Sequence, residues 1–372
     1  MNNNIRNIPF FDYKIFATKY GEALMDTLRD VISRGAYIAQ KDLLDFEAEI
    51  AKYLNVKHAI GVANCTDGLM LALRAAGIKE GDEVILPSHT FVATAASVHF
   101  LGAVPILVEC GRDHMIDPDA FEKAITNRTK AVMPVQLNGR TCDMDRIMSI
   151  AKKYNLLIVE DAAQGLGSSF KDKKAGSFGL AAAFSFYPAK ILGCLGDGGM
   201  VVTNDDKVAE QVLLMRDHGR NHDGLVVTWG LNSRLDNLQA AALRLFFSHY
   251  DETVARRRHL AMIYQTKLND IKELVLPPAP NSDPNHFDVY QNYEIEAERR
   301  DGLQDYLKSV GIGTIRQWGG TTVHQFDKLG FKKNLPFTEA MISKELMLPI
   351  NLSLSDDDVE YICGYIRKFY SK

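Results

Sequence analysis

The chain has 372 residues, of which 46% are hydrophobic and 24% charged, and a formal net charge of −4. A single core rarely grows past roughly 250–300 residues, so one large domain with a smaller companion is expected. The charge gives no reason for a nucleic acid or an anionic membrane as partner. No run reaches the roughly 18 apolar residues of a membrane span, and residues 1–12 lack the hydrophobic region of a signal peptide.

The five cysteines, at 65, 110, 142, 194 and 363, form no CxxC or Cys/His cluster. That argues against a metal and for reduced thiols in a cytoplasmic enzyme.

In chain order, residues 20–33 and 41–53 carry helical apolar spacing, separated by a loop that contains Tyr37. A strand at 57–63 turns through Asn64-Cys65-Thr66-Asp67-Gly68 into a helix at 69–76. Such a junction exposes backbone N–H groups at the positive end of a helix dipole, a seat for phosphate. Plain N-capping by Thr66 or Asp67 is the other reading, and the residues alone leave both open.

Strands are then expected at 83–86, 104–109, 131–137, 156–160 and 181–186, with helices at 92–101, 118–125 and 143–154 between them. This rhythm of near-continuous apolar strands predicts a buried, mostly parallel sheet in an α/β protein. A helix at 206–216 leads into the polar loop that holds Arg220, and another helix is expected at 234–247. The arginine run 256–258 reads as a solvated helix face. The proline-rich stretch 277–284 is the clearest break in composition. Beyond it, strands at 289–295 and 313–316 and helices at 301–310 and 356–370 make a smaller α/β domain. The boundaries taken are 1–250 and 251–372, with residues 1–25 free to pack on the smaller domain.

The chemistry concentrates at 184–200, FSFYPAKILGCLGDGGM, where an apolar strand ends in a single lysine and a glycine-dense loop. Lys190 reads either as a surface lysine or as a Schiff-base lysine whose basicity falls on desolvation. Asp161, a carboxylate at the end of another apolar strand, favours the second reading. A pyridoxal phosphate site needs a lysine for the aldehyde and an acid for the pyridine nitrogen.

VEDAAQGLG at 159–167, together with 184–200, NCTDGLMLAL at 64–73, PSHTFVATA at 87–95 and GLNSRLDNLQAA at 230–241, resembles the DegT/DnrJ/StrS family of pyridoxal-phosphate sugar aminotransferases. The resemblance runs over nearly the whole chain and implies the fold-type I architecture, with pyridoxal 5′-phosphate as cofactor. It implies that Lys190 carries the cofactor, Asp161 meets its ring nitrogen and Gln164 its 3′ oxygen. It further implies that Phe91 stacks on the ring, while Thr66, Asp67 and Ser185 meet the phosphate. For Phe91 the other reading is a core aromatic, and for Ser185 the polar face of a strand. Asn232 is implied to reach the phosphate of a neighbouring subunit, making a homodimer with shared active sites; by itself it is a good helix-flanking residue.

The implied reaction moves an amino group from L-glutamate to a keto sugar of a nucleoside diphosphate, for a surface polysaccharide such as O-antigen or another glycoconjugate. Tyr37, Tyr187, Arg220, Gln317, Trp318 and His324 are the candidate substrate residues. The loop GCLGDGG, with Asp197 where C4-acting members carry glutamate, looks more like the C3-keto enzymes. The segment 313–326, GTIRQWGGTTVHQF, departs from that group by lacking its His-Tyr-Pro. A C4-keto sugar or a smaller phosphorylated ketone therefore remains an alternative substrate. A sugar dehydratase of the family would carry histidine at 190, and a non-catalytic regulator would be expected to lose the Lys190–Asp161 pair.

Overall fold

The computed structural model describes residues 5–371. Seven strands form its main sheet: β1 (His58–Val62), β2 (Glu83–Pro87), β3 (Val104–Val108), β4 (Thr129–Val132), β5 (Leu157–Asp161), β6 (Ala181–Ser185) and β7 (Gly199–Thr203). Their spatial order is β1-β7-β6-β5-β4-β2-β3. All neighbours are parallel except β7, which runs against both β6 and β1. The strands are apolar on both faces because helices cover both. The α/β class and the mostly parallel mixed sheet are as the sequence predicts.

Helix α1 (Ile15–Arg34) packs Phe16, Tyr20 and Leu24 into one side of this core. In α2 (Lys41–Leu54) the stripe Leu43, Phe46, Ile50 and Leu54 is buried, at the spacing a helix needs to cover a sheet. Helix α3 (Cys65–Ala75) begins four residues earlier than its apolar pattern suggested, because Asn64 is its cap: Asp67 N–H donates to Asn64 Oδ1 at 2.8 Å. The helix lies unusually close to the sheet. A Cβ on Gly68 would stand 3.2 Å from Cβ of Ala183, so glycine above the alanines of β6 permits the approach. That approach sets the start of α3 over the C-terminal end of β6.

The smaller domain holds an antiparallel sheet of Leu274–Val275, Tyr293–Ala297 and Glu345–Leu348, with helices Arg300–Ser309 and Asp356–Tyr370. Helix Tyr250–Leu268 joins the two bodies: Tyr250 and Val254 belong to the large core, while Leu260, Tyr264 and Leu268 belong to the small one. Ile8 also lies in the small core and pairs with Ile312, whereas residues from Ile15 onward sit on the large domain.

Several expectations need correction. The strand expected at 131–137 is regular only to Val132; beyond it the segment keeps an isolated parallel bridge, Val135 to Asp161, and Val135 and Leu137 line a cavity. The stretch 313–316 makes only an isolated bridge, Ile315 to Met347. Strand β7 was not foreseen, since its MVVT run hides behind the glycines. The arginine run is not a solvated face. Arg257 is buried and donates to the Tyr290 carbonyl at 3.0 Å, and Arg258 donates to the Asp288 carbonyl at 2.6 Å. Arg256 binds Asp356 at 2.5 Å. These cations tie the helix to residues 288–291, just before the following strand.

The domains meet across a tight seam. Gly139 at φ +86° passes so near residues 290 and 291 that a Cβ would stand 2.5 Å from Gln291 N, and only glycine fits. Beside it, His114 of the large domain is clasped by Glu294 and Glu296 of the small one. Burial alone would strip this ring of its proton, yet the two carboxylates outweigh it and push its pKa up to about 10. A pKa raised above its unfolded value contributes stability that is whole below about pH 6.5 and lost as pH climbs through about 10. We expect His114→Gln to lower stability at neutral pH by about 3–5 kcal/mol, the effect of breaking a buried pair. In thermal melts the gap to wild type should narrow as the pH rises from about 6.5 toward 10; a gap independent of pH would contradict the clasp.

Candidate active site

A cavity of about 540 Å³ opens at the C-terminal edge of the parallel strands and is closed from the other side by the small domain. Sites in open α/β sheets lie at this edge, and the volume falls in the usual range for small-molecule pockets. Asp161 ends β5 and is 5% exposed. Thr94, on helix α4 (Val92–His99), donates to its Oδ2 at 2.7 Å, and the Ala163 amide donates to its Oδ1 at 3.1 Å. Burial pushes the carboxyl of Asp161 up, against the pull of Thr94, Ala163 and Lys190.

Lys190 sits in a loop tied down at both ends. Phe186 N–H bonds the Gly198 carbonyl at 2.9 Å, and Cys194 N–H returns to the Phe186 carbonyl at 2.8 Å. Gln291 then clamps the lysine's two neighbours: its Oε1 accepts from Ile191 N at 2.8 Å and its Nε2 donates to the Ala189 carbonyl at 2.9 Å. Among the described residues, no atom accepts a hydrogen bond from Lys190 Nζ. Burial lowers its pKa, opposed by Cys65 and Asp161. The result is an amine shifted toward its neutral, nucleophilic form beside a buried acid.

Most of the other expected residues surround this pair. Thr66 lines the cavity at the start of α3, where the Cys65 and Thr66 amides have no acceptor among the described residues. Asp67 follows it in the first turn but does not line the cavity, and its amide is used by Asn64. Ser185, Tyr187, Gln317 and Trp318 line the wall, with Phe91 at 53% exposure. The rings of Phe91 and Trp318 are 6.5 Å apart. Gln164 also lines it; its Oε1 accepts from Asn138 N at 2.8 Å, and its Nε2 has no acceptor among the described residues.

Four expected residues lie elsewhere in this chain. Tyr37 and Arg220 are outside the lining, with Arg220 paired to Asp217 at 2.7 Å. Asn232 is exposed at the foot of a hairpin spanning 217–232. His324 is buried behind the wall, bonded to Ser88 at 2.6 Å and to Glu339 at 2.9 Å, which leaves neither ring nitrogen for a ligand. Gln291, Asn292, Asn138 and Thr94 were missed. The polar pair Gln291-Asn292 opening an apolar strand was the available signal.

These features define a fold-type I pyridoxal-phosphate enzyme: a buried acid, an unbonded lysine, free helix-terminal amides and an unpaired amide donor converge on one cavity. Residues 18–367 match the DegT/DnrJ/EryC1/StrS aminotransferase family, and the chain belongs to that family. It is 39% identical to a dTDP-3-amino-3,4,6-trideoxy-alpha-D-glucose transaminase from Streptomyces venezuelae, covering 97% of this chain and 96% of that protein. It is 38% identical to a pleiotropic regulatory protein from Geobacillus stearothermophilus, over 98% and 99% of the two chains. Among solved structures, S. venezuelae DesV in complex with a ketimine intermediate superposes with a TM-score of 0.94 at 37% identity, over 98% of this chain and 99% of that one. The ntda protein of Bacillus subtilis with bound cofactor PMP gives 0.90 at 29% identity, over 100% of this chain and 87% of that one. Pyridoxal phosphate is the cofactor of this aminotransferase family.

A depressed lysine should declare itself chemically. In cofactor-free protein, acylating reagents at pH 8 should label Lys190 ahead of the exposed lysines, with a midpoint below the ordinary 10.5. A midpoint at the ordinary value would show the amine to be well solvated.

Proposed function

We propose that this aminotransferase moves the amino group of L-glutamate to the C3 keto group of a nucleoside-diphosphate sugar. The observation that carries the reading is the Lys190 amine, unbonded and half-buried beside Asp161 in a cavity large enough for cofactor and sugar. The 3-amino sugar in the name of the Streptomyces relative and the loop bearing Asp197 support C3.

Lys190 and Asp161 take the catalytic roles. Cys65 and Thr66 amides, with Ser185, hold the phosphate; Gln164 donates to the ring oxygen, and Phe91 covers the ring face. Pyridoxal phosphate, when bound, supplies an aldehyde for the amine and a ring that accepts electrons as the donor's α-proton leaves. Lys190 Nζ carries that proton to and from the reacting carbon, which its tether keeps within reach. Asp161, held by Thr94 and the Ala163 amide, would hold the proton on the ring nitrogen. Trp318 and Gln317, on the small-domain side, take the sugar end.

Reduction with borohydride should abolish the visible absorption and leave the cofactor on the peptide that contains Lys190. Incubation with glutamate and 3-keto or 4-keto nucleotide sugars, read by mass spectrometry and NMR, should give the 3-amino product. A 4-amino product would overturn the regiochemistry, and full turnover by Lys190→Ala would overturn the reading itself.

The functional unit in this reading is a homodimer. The hairpin 217–232 supports it: Val226 is 70% and Trp229 94% exposed, apolar groups that favour covering, with Asn232 at their base. A donor supplied by a neighbour couples cofactor binding to assembly. Mixing Lys190→Ala and Asn232→Ala chains, each poorly active alone, should restore activity, since one of the two heterodimer sites is then intact. Heterodimers without recovery would place Asn232 outside the partner's site.

A further inference from the structure

Behind Gln164 lies a hydrogen-bond network, half-buried at its centre and buried around it, that the roles above leave without a purpose. Its centre is Asn138, in the large domain next to the seam glycine and held at φ 54°. Asn138 N donates to Gln164 Oε1 at 2.8 Å. Its side-chain Oδ1 accepts from Asn292 Nδ2 at 2.8 Å and from Gln317 Nε2 at 3.2 Å. Its Nδ2 donates to Glu294 Oε2 at 2.9 Å, and Glu294 is itself held by His114. Asn292 Nδ2 also reaches Gln164 Oε1 at 3.4 Å. On the far side, Gln317 N donates to both carboxylate oxygens of buried Glu345, each at 3.0 Å.

Two consequences follow from this donor and acceptor count. Gln164 Oε1 faces two N–H donors, so its carboxamide can point only its NH₂ into the cavity. What Gln164 meets there must then be an acceptor. Asn138 Oδ1 is shared by two small-domain residues, Asn292 and Gln317, one beside the cofactor donor and one on the substrate wall. A single oxygen thus ties both sides of the cavity to the domain seam.

We propose that Asn138 is a positioning residue which, with Asn292, fixes Gln164 as a donor to the cofactor's ring oxygen and ties that donor to the small domain through Asn292 and Gln317. The proposal rests on the cofactor placement given above. A donor to that oxygen favours its ionised form, so a loosened Gln164 shifts the bound cofactor toward the form in which the oxygen keeps its proton. This is read from absorption alone, without turnover.

The test uses holoenzyme at fixed pH. Asn138→Gly suits the positive φ and keeps the backbone N–H, while releasing Glu294, Asn292 and Gln317. The ratio of visible to near-ultraviolet cofactor absorption should fall by about threefold, about half a pKa unit. Gln164→Ala should shift it the same way, and the double variant should shift it no further, the mark of two residues acting through one contact. A wild-type ratio in Asn138→Gly, or a double variant whose shifts add in full, overturns the proposal. Should Asn138→Gly fail to fold, Asn292→Ala takes its place in the same cycle with the same outcomes. Absence of any cofactor band in the wild type would instead refute the cofactor placement, so the two failures are distinct.

Discussion

The site depends on keeping Lys190 and Asp161 near each other without letting them collapse into a salt bridge. A half-buried lysine and a buried carboxylate attract, and a closed pair would return the amine to its charged, inert form. The structure prevents this by giving each group other restraints. Both oxygens of Asp161 already have neutral donors, from Thr94 and the Ala163 amide. The Lys190 backbone is gripped on either side by Gln291. What remains is an electrostatic coupling across the cavity, strong enough to influence both groups and too indirect to quench either.

Gln291 also makes the loop a two-domain structure. It lies at the point where the chain crosses Gly139 and enters the small domain's strand Tyr293–Ala297. The residue that holds the lysine, the residue beside Gln164 and the residue clasped by His114 are thus Gln291, Asn292 and Glu294, all within one short segment. Displacement of the small domain would loosen the lysine loop, the amide donor and the seam together. The large domain carries Lys190 and Asp161, the groups proposed to react, and the small domain holds their surroundings in register.

Much of the sheet and of the lining of the cavity was legible in the sequence because the residues proposed to meet the cofactor stand where strands end. Asp161 follows LLIVE and Lys190 follows AAAFSFYPA, so period and composition place them without knowledge of tertiary contacts. The start of α3 was misjudged because Asn64 caps from outside the apolar pattern, a choice the hydrophobic spacing cannot register. The arginine run misled for a different reason. Charge usually means solvent, but Arg257 and Arg258 bond backbone carbonyls whose positions depend on how the domains meet. Asn138 is an uncharged amide with no local signature, Gln291 and Asn292 show only as a polar pair opening an apolar strand, and the roles of all three exist only after folding.

The small-domain wall of the cavity was the least legible part, and its geometry explains why. Trp318, Gly319 and Gly320 are three successive residues with positive φ, at 50°, 81° and 74°, a path that no periodic pattern announces. The path is imposed from below by Glu345, whose buried carboxylate takes the Gln317 amide, and it swings the indole against His89 and Phe91. His324 looked eligible because it is near in sequence, yet the same loop turns it behind the wall to Ser88 and Glu339. The residues proposed to meet the substrate therefore ride on a small-domain loop with its own anchor, while Asp161 and Lys190 ride on the large sheet. With that division, changes in the loop alter the shape of the cavity mouth and leave the desolvation of Lys190 and the donors to Asp161 in place.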